Sequence, residues 1–177
     1  MMRDEKRANC HPRCWRLLGF ALACWVALEP PSFAAGPAPE VVRALEHSAY
    51  VYIATQRKDG SFGAAAEIWF MYDQGAVWMA SPTTAWRVKR IRAGRPTARI
   101  AVGKKDGPVL MATGSFVRDP AAYERLYIAF AKKYPEGWPK YEARFREGLK
   151  DGSRVLMRYE LVAAPVPRVP ATATPRP

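Results

Sequence analysis

The sequence predicts a mainly β, α+β domain: a compact antiparallel barrel of about six short strands with flanking helices. Three observations lead there. Short runs of aromatic and β-branched residues recur along the chain, tight Gly- and Asp-containing turns join them, and one small helix falls between the third and fourth strands. Parallel strands would need a longer crossover at every connection.

The 177 residues carry a formal net charge of +12, one domain's worth of chain. Residues 1–34 read as a secretory leader. Arg3, Lys6, Arg7, Arg13 and Arg16 precede a run of twelve uncharged residues, Leu17 to Leu28. Ser32-Phe33-Ala34 then places small residues at the two positions a signal peptidase reads. The run is short for a bilayer span. The expectation is an exported protein, periplasmic or extracellular, with an uncleaved N-terminal anchor as the membrane-attached alternative.

Removing the leader narrows the chemistry. Cys10, Cys14, Cys24 and His11 all lie within it. The rest of the chain has no cysteine for a disulfide or a thiolate metal site. His47 is its single histidine, which argues against a histidine metal cluster or a Ser-His-Asp triad. No metal site is expected, and redox or transfer chemistry would come from a bound cofactor. Without the leader's five basic and three acidic residues the net charge falls from +12 to +10.

Residues 35–39 read as a linker and residues 40–161 as the folded domain. Glu40 to Ser48 has helical spacing, with Val41, Val42 and Leu45 on one side. Tyr50 to Arg57 is a strand, and Lys58-Asp59-Gly60-Ser61 a hairpin turn. Ala64 to Tyr72 is the second strand, Asp73-Gln74-Gly75 a turn, and Ala76 to Ser81 the third strand. Ser81-Pro82 reads as a helix cap followed by proline at the first helical position. That helix runs to about Ala93, before Gly94 and Pro96.

Ala98 to Val102 and Val109 to Val117 are the next strands, joined through Lys104-Lys105-Asp106-Gly107. Asp119-Pro120 starts a helix to about Lys133, with Tyr123, Leu126, Tyr127 and Phe130 facing inward. Pro135, Gly137 and Pro139 break it, Tyr141 to Leu149 forms a further helix, and Arg154 to Leu161 is the last strand. The tail, residues 162–177, carries five prolines and reads as disordered.

The segment Trp86-Arg87-Val88-Lys89-Arg90-Ile91-Arg92 stands out. No acidic residue lies between Asp73 and Asp106 to neutralise it. A helix start offers free N–H groups and a positive dipole end, which suit an anion. At about 100° per residue, Val88 and Ile91 share one side and should pack on the barrel. Trp86, Lys89 and Arg90 fall opposite, with Arg87 between. A phosphate would then meet Ser81, Arg87 and Arg90. Arg92, Arg95 and Arg99 read as surface charge.

These elements, in this order, resemble the split β-barrel of the pyridoxamine 5'-phosphate oxidase-like flavin-binding family. The carrying segments are Tyr52-Ile53-Ala54-Thr55 with Asp59-Gly60, Glu67-Ile68-Trp69-Phe70, Ala80-Ser81 followed by Arg87-Val88-Lys89, Arg95-Pro96 and Ala112-Thr113-Gly114. The resemblance implies that Ala66, Glu67, Ile68 and Trp69 line a flavin ring. It implies that Ser81, Arg87 and Lys89 hold the phosphate, whereas the helix geometry adds Arg90. Trp86 departs from the small or basic residue common there. The resemblance also implies a homodimer with the cofactor, FMN or the deazaflavin F420, in a cleft between protomers.

The leading expectation is an exported flavin-dependent oxidoreductase acting on a small molecule at flavin N5. Two others stand beside it. One is a haem-handling protein of the same barrel type, with His47 as the available imidazole. The other is a non-catalytic binder of anionic envelope ligands, driven by net charge. Nucleic acid is not an expected partner, since no recognition motif is present.

Overall fold

A computed structural model of the protein describes residues 36–162. The leader and the tail beyond Val162 lie outside the described residues. The elements are α1 (Pro39–His47), β1 (Val51–Thr55), β2 (Ala66–Ile68), β3 (Met71–Asp73), β4 (Ala76–Pro82), α2 (Trp86–Arg92), β5 (Thr97–Val102), β6 (Val109–Val117), α3 (Pro120–Lys133), α4 (Trp138–Asp151) and β7 (Arg154–Val162). No helix among the described residues is long and apolar enough to cross a membrane.

The seven strands form one sheet in the order β2-β1-β5-β6-β7-β4-β3, with every pairing antiparallel. Its two edges, β2 and β3, are separated in the chain by only Trp69 and Phe70. A sheet whose opposite edges are so tethered must curl back on itself, which gives the split barrel. The expected second strand, Ala64 to Tyr72, is therefore two strands. Its first part pairs with β1 and its last part with β4, and the change of partner at Trp69-Phe70 raises the count to seven.

Alternation writes the barrel interior. Leu110, Ala112 and Gly114 of β6 are buried, while Val109, Met111, Thr113 and Ser115 face out. A Cβ at Gly114 would lie 2.6 Å from Tyr159 Cε1 and 2.9 Å from Ile91 Cδ1, so that position admits no side chain without repacking. Strand β4 is buried on both faces. Val77 and Met79 enter the interior with Val51, Ile53, Ile100 and Met157. Ala76, Trp78 and Ala80 face a second cluster beneath α3 and α4.

Turn chemistry holds as expected at two places. Gln74 and Gly75 both have positive φ, 51° and 70°, the conformation of a two-residue hairpin between β3 and β4. Asp119 caps α3 by accepting from the Ala121 N–H at 2.9 Å, with Pro120 in the first turn.

Two helix starts differ from the expectation. Ser81 and Pro82 continue β4, opposite Val155 and Arg154 of β7, and the Thr83 N–H donates to Ser153 O at 2.9 Å. Ladder pairing outcompetes the cap, so α2 begins only at Trp86, with Ala85 at its N-cap and no side-chain cap. Helix α4 begins at Trp138, and Pro139 lies in its first turn. Proline has no N–H to lose there and marks a start, where the sequence had suggested a break.

Candidate functional site

Arg87 is the centre of the site. It leaves α2 toward the end of β4 and donates from Nη1 to Ser81 Oγ at 2.8 Å. Ser81 is fully buried. The Arg87 side chain is half-buried, and the loss of hydration pulls its pKa below the usual arginine range. Among the described residues no carboxylate lies within ion-pairing distance of it. A half-buried cation with one neutral partner is costly, and an anion would relieve that cost.

Arg87 borders two cavities. The first, about 340 Å³, lies between the end of β4, strand β2 and helix α4. Glu67, Ile68, Trp69, Ser81 and Arg87 line it, as do Tyr141, Arg144, Phe145 and Arg154. The second, about 440 Å³, lies between α2 and the β1–β2 hairpin, lined among others by Thr55, Arg57, Gly63, Ala66, Trp86, Arg87 and Arg90. The site residues expected from sequence thus divide across two cavities that Arg87 joins. Lys89 lines neither; it is exposed, with its ammonium 5.0 Å from the Trp86 ring.

Each wall has a local cause. Val88 is buried and Ile91 partly so, which seats α2 on the barrel as its spacing requires. Trp86 on the opposite side is 69 % exposed. Arg90 does not stay on that side. It turns back to β1 and donates from Nη1 to Thr55 O at 2.7 Å and Thr55 Oγ1 at 2.8 Å. A Cβ at Gly63 would lie 2.7 Å from that nitrogen, so glycine opens the path.

Across the first cavity Trp69 stacks on Tyr134 at 4.4 Å and meets Tyr141 edge-on at 5.6 Å. Strand β2 is a sheet edge, so its outward backbone groups have no ladder partner. Glu67 accepts from the Tyr52 hydroxyl across the β1–β2 pair, which raises the phenol's pKa. Sequence reasoning missed Tyr141, Arg144, Phe145 and Arg154. Nothing local marks them, because they reach the cavity only through the docking of α4 against β7.

The donor set fits a phosphate-bearing cofactor: one half-enclosed guanidinium without a counter-charge, a buried hydroxyl beside it, and edge-strand backbone next to an aromatic wall. His47 fits less. It ends α1, is exposed, lies with Nδ1 2.9 Å from Arg43 O, and lines neither cavity.

No family model matches the chain, and no curated protein matches it. Solved structures do. A candidate pyridoxamine 5'-phosphate oxidase from Listeria innocua superposes with a TM-score of 0.50 at 16% identity, over 69% of this chain and 90% of its own. HutZ, the haem storage protein from Vibrio cholerae, gives 0.51 at 15% identity, over 75% and 93%. General Stress Protein 26 from Bacillus anthracis gives 0.51 at 14% identity, over 69% and 86%. The fold of this protein is therefore the split barrel of the pyridoxamine 5'-phosphate oxidase-like proteins.

Proposed function

We propose that the protein is an exported flavin-binding oxidoreductase, with FMN or F420 as cofactor and a small molecule as substrate. The observation that carries this reading is Arg87, half-buried against Ser81 without a carboxylate and open to both cavities. Arg87 and Ser81 would hold the cofactor's phosphate, and the edge backbone of Ala66, Glu67 and Ile68 would hydrogen-bond the ring beside Trp69. When bound, a flavin supplies two-electron transfer, which demands no histidine or cysteine of the protein. The chain's own part is to bind, orient and keep water off one side of the ring through the aromatic wall.

The test is cofactor affinity. A charge-assisted hydrogen bond to phosphate is worth about 1.5–3 kcal/mol. Arg87→Ala should therefore weaken FMN or F420 binding roughly ten- to a hundred-fold, while riboflavin, without the phosphate, binds both proteins alike. Equal FMN affinity in the two proteins would remove the phosphate role.

The assembly proposed is a homodimer. Trp78 of β4 is buried in its own chain and cannot supply the dimer face. Val109, Met111 and Val162 can: they are exposed on the outer side of β6 and β7, and Met111 pairs with Val162 across the ladder. Sedimentation should give twice the chain mass, and Met111→Glu should shift it to the monomer. The leader reading is checked by the mass of the exported protein, which should begin near Ala35.

A further inference from the structure

The first cavity holds more positive charge than one phosphate needs. Besides Arg87 it is lined by Arg144 from α4 and Arg154 from the start of β7. Among the described residues the one carboxylate on its wall is Glu67, which takes the Tyr52 hydroxyl. Among the described residues neither Arg144 nor Arg154 forms an ion pair.

Arg154 is held in place. Its guanidinium lies 4.2 Å from the Phe145 ring centroid. Its stem crosses α4 at Gly148, where a Cβ would stand 3.1–3.2 Å from Arg154 Cβ, Cγ and Cδ. Glycine inside a helix costs about 1 kcal/mol relative to alanine, and here it clears the path for this side chain. Burial lowers the Arg154 pKa, and the charge on Arg144 lowers it further. Two guanidinium groups that repel each other, one fixed by packing, make a site that an anion would stabilise.

We infer that Arg144 and Arg154 bind the carboxylate or phosphate of an aromatic small molecule, seated against Tyr141 and Phe145 on the α4 side of the cavity, next to the cofactor ring at Trp69. The inference rests on the flavin reading only in calling this molecule the substrate. The pair recognises an anion whether or not a flavin is the neighbour.

The experiment is calorimetric titration of the full chain, with and without FMN, using benzoate, phenyl phosphate and neutral benzamide. The anions should bind at least about tenfold more tightly than benzamide. Their ranking tells a carboxylate ligand from a phosphate ligand. Arg154→Gln and Arg144→Gln should each reduce anion affinity roughly tenfold and leave benzamide unchanged. FMN affinity should move less than about threefold, against the loss in Arg87→Ala. Arg144 is exposed, so its variant should melt as the parent does and keeps the test informative if Arg154→Gln does not fold.

Equal binding of benzoate and benzamide overturns the inference. So does an anion preference that survives both variants. A loss of FMN as large as that of Arg87→Ala also overturns it, because the pair would then belong to the cofactor's phosphate. If the parent protein fails to bind FMN but binds benzoate through both arginines, the flavin reading falls and the anion site stands.

Discussion

The two hydrophobic regions of the molecule are built differently. The barrel interior is chiefly aliphatic: Val51, Ile53, Val77, Met79, Ile100 and Met157 interdigitate with Leu45 of α1 and Val88 of α2. The layer beneath α3 and α4 is chiefly aromatic. Phe130 meets Trp69, Tyr134, Trp138 and Phe145 at centroid distances of 5.3–6.0 Å, all edge-on. Aliphatic packing rewards volume and is tolerant of orientation. Edge-on rings have preferred angles, and their polar handles need partners. The candidate site draws its aromatic wall from the second region, where orientation is fixed.

The largest effect that would break this contrast is at Phe130, which is fully buried and touches four rings. Phe130→Ala should cost about 3–5 kcal/mol. It should also slacken Trp69 and so the first cavity. Ile100→Val, an equally buried change in the interior, should cost about 0.5–1.5 kcal/mol and leave the cavity alone. Urea unfolding with Trp fluorescence measures both. Similar losses and similar ligand affinity in the two variants would mean that the layer is only a second core.

A smaller effect tests the polar handle. The Tyr134 hydroxyl donates to Ala49 O at 2.7 Å and accepts from the Phe70 N–H at 3.0 Å. It ties the α3 end to the break between β2 and β3 and to the entry of β1. Burial holds its pKa above the ordinary phenol range. Tyr134→Phe keeps the ring but leaves a buried N–H without its partner, at a cost of about 1–3 kcal/mol. Hydrogen exchange at Phe70 should rise more than at Val77, and equal protection would make the hydroxyl dispensable.

The same contrast explains what was legible in the sequence. The strands were readable because short aromatic and β-branched runs end at tight Gly- and Asp-containing turns. The basic helix face was readable from its 3.6-residue period, and Val88 and Ile91 pack where their spacing put them. The break at Trp69-Phe70 was not. A strand that changes partner looks continuous until the sheet curls. Ser81 was misread because a cap signal is local, whereas its strand pairing with Val155 depends on residues far along the chain. Gly137 looked like a breaker. Its structural reason is the Trp69 ring, whose Cη2 would stand 2.8 Å from a Cβ there. Arg90 left its helical face because its long side chain reached Thr55, which spacing alone does not show.

The smallest effect concerns Lys133, at the end of α3 where the aromatic layer meets solvent. Its ammonium lies 3.4 Å from the Phe70 ring centroid and 5.9 Å from that of Tyr134, and no carboxylate pairs with it among the described residues. The ring face favours the charged form, but burial outweighs it and lowers the pKa to about 8. An unfolded lysine titrates near 10.4. Between those values the unfolded chain binds more protons than the folded one, so this group makes stability rise with pH from about 8 to about 10.4. Above about 10 the sign reverses, because burial raises the pKa of Tyr134 and Tyr159 and the unfolded chain deprotonates first. Lys133→Met should remove the rise while leaving the fall. At pH 7 it should add roughly 0.5 kcal/mol, a modest gain because the half-buried ammonium still meets water. Urea midpoints at pH 7, 9 and 11 measure this. An unchanged slope between pH 7 and 9 would mean that the ring face, not burial, governs this lysine.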